Sequence, residues 1–156
     1  MITNPDGSYS ERIWEDGVWI SEKFYNAAGV LKYRWTFTYD DEGKLVGELS
    51  EDIADAVIRR VTYEYDSKGR KIKDTEYHVD QDHQETLAST VHYEYDGDSD
   101  RLLRVEHKNN VGELTLYEEN TYYPNGERYI EQGKYANGGE WYYREYDENG
   151  NMIVNR

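Results

Sequence analysis

The stretch YEYDSKGRKI, residues 63–72, decides the fold because its pattern recurs along the chain. YEYD returns at residues 93–96, and REYDENGNMI occupies residues 144–153. Most of these stretches lead into a turn-like sequence with a glycine, and neighbouring turn glycines are mostly 10 to 14 residues apart. A period this short indicates a repeat whose unit is one small piece of secondary structure.

The turn sequences identify how the units are connected. In the quoted stretch, Asp66 stands at the first position of the turn and Gly69 at the fourth. Asp or Asn with Gly at this spacing is typical of a type I turn closed by a residue with positive φ, which joins the two strands of a hairpin. The matching acids Asp40, Asp66 and Asp147 are therefore predicted to accept backbone amide bonds within their own turns rather than to act as ligands or bases.

The segments between the turns alternate with the period of a β-strand. KYRWTFTYD, residues 32–40, places four aromatic residues on one face and polar residues on the other, and VTYEYD (61–66) and VHYEYD (91–96) keep the same period. The sequence predicts an all-β fold, an antiparallel meander of about twelve strands built from YDxxG hairpin repeats with an aromatic core on one face. Because open sheets rarely exceed about ten strands without curling, a curled or partly closed sheet is expected.

Two stretches interrupt the rhythm of strands and turns. SEDIADAVIRR, residues 50–60, has apolar residues at helical spacing behind Ser50 or Asp52 as a helix N-cap. Either one short helix lies near residues 50–58, or a long hairpin loop runs into a strand that begins at Val57. VDQDHQET, residues 79–86, is a polar hairpin tip that is too hydrophilic to be buried.

Composition bounds the class of protein and its partners. A length of 156 residues favours a single domain, 1–156, in which 17 Tyr and 4 Trp replace a sparse aliphatic core. The net charge of −15 excludes nucleic acid and anionic membranes as partners and favours a basic one. With no apolar run of about 18 residues and no signal-like segment after Met1, a cytoplasmic location is expected.

Motifs for catalysis and metal binding are missing from the sequence. The segment DGDSD, residues 96–100, lacks the later Gly and Glu of a calcium loop and is predicted to be a solvated turn. The four histidines show no metal-ligand spacing, and there is no Cys, no phosphate-binding loop and no nucleophile elbow. We expect no metal, no cofactor and no enzymatic activity.

Two families resemble the repeat. YDDEGKLV (39–46), YDSKGRKI (65–72) and YDENGNMI (146–153) resemble the YD repeats of the Rhs family, the β-strip that builds large bacterial toxin shells. The run from Thr121 to Ile153 is similar to the MORN-like repeats of a family of bacterial antitoxins. Both families are β-meanders, so the resemblance implies the same fold, and the second implies an antitoxin or immunity role.

Two places are predicted to contact a partner. In EWYYREYD, residues 140–147, alternation puts aromatic residues on both faces, so one pair is exposed or packs against IWEDGVW, residues 13–19. The candidate partner-binding residues are the acidic tip Asp80, Asp82 and Glu85 and the aromatic anchors Trp141 and Tyr143.

The leading hypothesis is a non-enzymatic acidic binding protein, a bacterial immunity or antitoxin protein that neutralises a basic toxin domain. The alternative is a carbohydrate-binding or structural YD-repeat surface module.

Overall fold

The computed structural model describes residues 1–156 and consists of strands and turns alone. The strands in chain order are β1 (Ile2–Thr3), β2 (Tyr9–Glu15), β3 (Val18–Tyr25), β4 (Leu31–Tyr39), β5 (Leu45–Asp52), β6 (Val57–Tyr65), β7 (Lys71–Val79), β8 (Glu85–Tyr95), β9 (Leu102–Asn109), β10 (Leu114–Tyr122), β11 (Arg128–Tyr135), β12 (Glu140–Tyr146) and β13 (Met152–Asn155). None of these segments is a helix that could cross a membrane.

The thirteen strands form one antiparallel sheet in which the spatial order equals the chain order. The edge strands β1 and β13 have one neighbour each, so hydrogen bonds do not close the sheet. The predicted all-β meander is confirmed, with one strand more than expected. Hairpins of 10 to 14 residues produce this order because each strand returns beside the one before it.

The short helix considered near residues 50–58 is wrong. Pairing of β5 with β6 continues as far as Asp52 opposite Val57, which leaves only residues 53–56 for the connection. The side chain of Asp52 accepts the N–H of Ala54 at 3.0 Å, and Ala56 takes a φ of 52°. Four residues between two paired strands form a hairpin loop, which was the other interpretation.

The repeated turns use one set of hydrogen bonds. Oδ1 of Asp66 accepts the N–H of Lys68 and of Arg70, both at 2.9 Å, and Gly69 donates its N–H to the Asp66 carbonyl at 2.9 Å. Gly69 has a φ of 82°, which a residue with a side chain adopts only at a cost. The same side-chain bonds recur at Asn26, Asp40, Asp80, Asn109 and Asp147.

The tyrosine at the end of a strand has its own structural role. The hydroxyl of Tyr39 donates to the carbonyl of Trp19 at 2.8 Å, and that of Tyr122 donates to the carbonyl of Leu102 at 2.8 Å. In both cases the acceptor lies at the start of the preceding strand, where ladder pairing ends. Phenylalanine could not make this bond, which accounts for tyrosine at these two strand ends.

The chain divides into two compact units. The first comprises residues 1–63 and 75–88 and holds 16 acidic and 7 basic residues, a net charge of −9. The second comprises residues 64–74 and 89–156 and holds 17 acidic and 11 basic residues, a net charge of −6. The acidic excess is therefore larger in the first unit, and the prediction of one domain over 1–156 stays a prediction.

The predicted aromatic core is wrong. Val105 is the only buried apolar residue, and no large side chain is fully buried. The aromatic rings are half-buried or exposed, because the fold contains no helix and no second sheet to cover them. Cross-strand pairs and turn hydrogen bonds carry a larger part of the stability in such a fold than core burial does.

Candidate functional site

Six aromatic side chains of the first unit lie on one face of β2, β3 and β4, in two groups of contacting rings, and we call them the aromatic stripe. Ring centroids are 6.4 Å apart for Trp14 and Trp19, and 4.6 Å apart for Trp19 and Phe37. Trp14 is 59% exposed and Tyr33 is 39% exposed, while the other four rings are half-buried. The stripe consists of Trp14, Trp19, Phe24, Tyr33, Trp35 and Phe37.

Strand register puts these rings on one face. Tyr33, Trp35 and Phe37 alternate along β4 and so share a face. Across to β3, Tyr33 stands opposite Phe24, and their ring centroids are 6.1 Å apart. A register shift between Ile13 and Trp14 then places Trp14 opposite Trp19. Trp14 is therefore the exposed end of the stripe.

The neighbouring strand β5 supplies small and acidic side chains to the same face. Tyr33 lies opposite Asp52, and Phe37 lies opposite Glu48. Between them, Trp35 lies opposite Ser50, whose short side chain leaves a depression of about 210 Å³ beside the indole. We call this depression the serine slot; its lining residues are Tyr33, Trp35, Ser50, Glu51, Asp52, Val57 and Arg59.

The charges around the serine slot differ in their partners. Nε of Arg59 donates to Oε1 of Glu76 at 2.7 Å, and this hydrogen bond raises the pKa of the arginine. The Glu51 carboxylate pairs with Arg34, whose hydrogen bond lowers the pKa of Glu51. The Asp52 carboxylate lines the slot without an ion pair, and its Oδ1 accepts the N–H of Ala54 and of Asp55. Glu48, two residues along β5, lies outside the slot lining; it forms no ion pair but contributes to the raised pKa of Arg59.

Six aromatic rings in the second unit carry cations of the chain itself. The guanidinium carbon of Arg104 lies 4.1 Å from the ring centroid of Tyr117, and that of Arg144 lies 4.9 Å from Tyr142. Lys71, Arg70 and Arg156 lie over Tyr93, Tyr95 and Tyr143 at 4.6 to 4.7 Å. In the aromatic stripe only Trp19 is covered this way, by Arg12 at 4.8 Å.

The predicted acidic tip divides into three different environments. Asp80 is a turn residue, since its Oδ1 accepts the N–H of Asp82 at 2.9 Å and of Gln84 at 2.8 Å. Glu85 makes a two-pronged pair with Arg60, which lowers the pKa of the carboxyl. The Asp82 carboxylate is the one exposed acid of the three that makes no hydrogen bond or ion pair. This tip also keeps the turn of the repeat, with His83 at φ 59° in the position of the glycine.

The predicted aromatic anchors do not share a face. A register shift in β12 next to Gly133 brings Trp141 beside Tyr142, with ring centroids 5.3 Å apart. A Cβ on Gly133 would lie 2.6 Å from the Tyr142 ring and 3.0 Å from the Trp141 ring, so both rings lie over this glycine. Trp141 is 51% exposed, whereas Tyr143 lies on the other face under Arg156, which is 4.6 Å from its ring.

A second depression of the first unit lies on the opposite face of β4, β5 and β6. It measures about 450 Å³ and is lined mainly by Thr36, Thr38, Leu49 and Thr62 around the side-chain-free Gly47. The charged side chain on this face is Arg60, which is held by Glu85. It therefore presents small uncharged groups where the stripe presents rings and unpaired acids.

The second unit also has a small depression, of about 140 Å³, at His92, Tyr93, Glu94, Arg104 and Glu106. His92 stands opposite Glu106 on the polar face, as the alternation predicts. Burial, with Lys108 and Lys73 nearby, lowers the pKa of His92. No three His, Asp or Glu side chains of the chain converge in a way that could hold a metal ion.

Solved structures with this fold exist, although no family model and no curated protein matches the sequence. The crystal structure of TcdB2-TccC3-TEV matches 88% of this chain with a TM-score of 0.60 and 14% identity. The crystal structure of TcdB2-TccC3-Cdc42 matches 98% of it with a TM-score of 0.54 and 15% identity. This chain spans only 6% and 9% of those two chains. Together with the YD turns, the likeness supports a YD-repeat-like meander and assigns no residue a role.

Proposed function

We propose that this chain is a non-enzymatic binding protein for a basic protein partner, and that it acts as a bacterial immunity or antitoxin protein that neutralises a basic toxin domain in the cytoplasm. The observation that carries the binding role is the aromatic stripe. Rings that a packed fold would cover are half-buried or exposed there, beside the carboxylates of Asp52 and Glu48, which form no ion pair.

A protein partner suits the chemistry of this face. Exposed Trp and Tyr are the residues most enriched at energetic hot spots of interfaces, and contiguous apolar patches on soluble proteins commonly mark interaction sites. The net charge of −9 in the first unit would attract a cationic partner over a distance set by salt screening. Association is then fast at low ionic strength and slows as salt is added.

The antitoxin role has two lines of support besides charge. The run from Thr121 to Ile153 is similar to the MORN-like repeats of bacterial antitoxins. The YD-repeat-like meander suits a binding or structural scaffold, because its turns join the strands through their own hydrogen bonds. Fold alone does not assign function, so the role depends on the partner.

Co-expression with the product of the adjacent gene tests this role. We expect a stable complex and relief of that product's toxicity, and we expect both to be lost in the Trp35→Ala variant but kept in Trp141→Ala, which removes an exposed ring outside the stripe. If neither a complex nor relief of toxicity is observed with the unaltered chain, the immunity role is wrong.

The serine slot favours a second candidate, a carbohydrate-binding module. Tyr33 and Trp35 lie side by side with centroids 5.7 Å apart, a surface on which a sugar ring could stack. The Ser50 hydroxyl and the Asp52 carboxylate would supply hydrogen-bonding groups at its edge. Glycan-array binding that is lost in Trp35→Ala and kept in Trp141→Ala would favour this candidate; loss in Trp141→Ala alone would place a sugar site in the second unit instead.

A further inference from the structure

We infer that the aromatic stripe recognises arginine side chains of its partner, and that the serine slot takes one guanidinium group against the Trp35 ring. This inference rests on the basic partner of the proposed function and names the chemistry by which the stripe would bind it. It is carried by stripe rings that have no cation of the chain over them and by the carboxylates that stand beside those rings on β5.

Seven aromatic rings outside the stripe have an Arg or Lys of the chain itself within 6 Å of the ring centroid. Five rings of the second unit have an Arg or Lys head group within 5 Å of the centroid. In the first unit Tyr77 is covered by Arg60 at 4.5 Å. Five of the six stripe rings have no such cation, so the negative π-faces of Tyr33 and Trp35 are available to a cation from outside.

Internal arginines near the stripe are committed to other partners. Arg59, at the far wall of the slot, is bound through two of its nitrogens to Oε1 of Glu76 at 2.7 Å. Arg12 pairs with Glu22 at 3.3 Å and lies over Trp19 rather than over Trp35. Neither guanidinium covers Trp35, and the charge of Arg59 is offset by the carboxylate that holds it.

The acids beside the slot select a planar cation. Asp52 flanks Tyr33 and Glu48 flanks Phe37, so carboxylates stand on both sides of the Trp35 position along β5. A guanidinium can stack on the indole through its face and donate hydrogen bonds from its edge to a carboxylate at the same time. An ammonium group has no flat face to stack, so arginine should be preferred to lysine.

Isothermal titration at low ionic strength, with tryptophan fluorescence as a second readout, tests the inference on the whole chain. The probes are three peptides of equal length that contain arginine, lysine or citrulline between glycines. We expect the arginine peptide to bind at least about fivefold more tightly than the lysine peptide, and the citrulline peptide, which keeps the shape without the charge, to bind most weakly.

Substitutions in the stripe and outside it test whether the arginine peptide binds to the stripe. Trp35→Leu, and Asp52→Asn combined with Glu48→Gln, should each weaken the arginine peptide at least about fivefold, whereas Trp35→Phe should retain part of the affinity. The matched controls Trp141→Leu and Asp82→Asn should bind as the unaltered chain does. Circular dichroism and an unchanged unfolding midpoint in Asp52→Asn/Glu48→Gln show that lost affinity does not come from lost fold.

Three results would overturn the inference: equal affinity for arginine and lysine peptides, unchanged affinity in Trp35→Leu, or fluorescence changes with a neutral oligosaccharide but none with the arginine peptide. The outcome is separable from that of the immunity role. Arginine-peptide binding without any complex in co-expression would leave the recognition chemistry standing and remove the antitoxin assignment. A toxin complex that still forms with the Trp35→Leu variant would support the antitoxin role and remove the arginine-recognition chemistry.

Discussion

Trp35 and Ser50 face each other across β4 and β5, and this pair opens the serine slot beside the aromatic stripe. The pairing depends on a single register shift between Thr38 and Tyr39. Tyr39 pairs with Leu45. If that register continued along β4 and β5 without the shift, Trp35 would lie opposite Leu49. One extra residue at the turn therefore decides whether the indole has an aliphatic side chain or a short hydroxyl beside it.

Asp80 and Asp82 lie in one turn but should respond differently to removal of their side chains. Asp80→Ala deletes the acceptor for two backbone N–H groups and should lower the melting temperature by about 3 °C. Asp82→Ala removes an acid with no partner in a unit of net charge −9 and should leave the temperature unchanged or raise it slightly. Thermal unfolding followed by circular dichroism measures both, and a larger loss in Asp82→Ala would contradict the turn assignment.

Two substitutions in the hairpin loops should change the stability of the fold in opposite directions because of backbone conformation. Ala56 has a φ of 52°, so Ala56→Gly should stabilise the fold by roughly 0.5 to 1 kcal/mol by relieving left-handed strain. Gly43 has a φ of 81° with no neighbouring atom within 4 Å, so Gly43→Ala should cost roughly 1 kcal/mol through the backbone alone. Urea unfolding gives both values, and the same sign for the two variants would refute the explanation.

Gly133 should be intolerant of a methyl group. A Cβ at this position would lie 2.6 Å from Cε1 of Tyr142, so Gly133→Ala must displace the ring and should cost roughly 1 to 3 kcal/mol. Gly139→Ala is the control, because a Cβ at this position would lie no closer than 3.2 Å to any neighbour, the nearest being Oδ1 of Asn137. Comparable urea midpoints for the two alanine variants would show that Tyr142 does not lie over Gly133.

The histidine on the polar face of β8 should make stability depend on pH. Burial first, and then Lys108 and Lys73, lower the pKa of His92 below its ordinary value, with Glu106 and Glu64 acting in the opposite direction. The folded state then binds fewer protons than the unfolded chain, so stability is complete above pH 6.5 and falls as the pH drops below it. Urea midpoints at pH 7.5 and 5.5 should differ less for His92→Gln than for the unaltered chain. An equal difference in both proteins would mean that His92 is not responsible.

The sequence predicts the repeat well because turn chemistry is local. Asp66 and Gly69 specify their turn whatever surrounds them, and alternation then assigns faces within each strand. The hairpin tip at Asp80 is less easily identified as a copy of the repeated turn. His83 replaces the glycine there, while the hydrogen bonds of the turn persist. His tolerates positive φ better than most residues, which was the available signal.

The face on which each aromatic side chain lies, and the extent to which it is buried, were predicted less well because both depend on tertiary context. Alternation alone places Trp141 with Tyr143, whereas a register shift beside the side-chain-free Gly133 moves it next to Tyr142. Likewise, the alternation of Tyr33, Trp35 and Phe37 indicates an apolar face but does not show whether another layer covers it. The same pattern fits a core strand and an open binding surface.

The measurement that tests the central claim most directly is the free energy of unfolding of Trp35→Ala, determined beside its affinity for a basic partner or arginine peptide. If the stripe is an open binding face, the substitution abolishes binding and costs less than about 2 kcal/mol, because a half-buried ring loses little packing. A loss of about 3 to 5 kcal/mol, as expected for a tryptophan in a packed core, together with unchanged affinity in the fraction that remains folded, would contradict the claim.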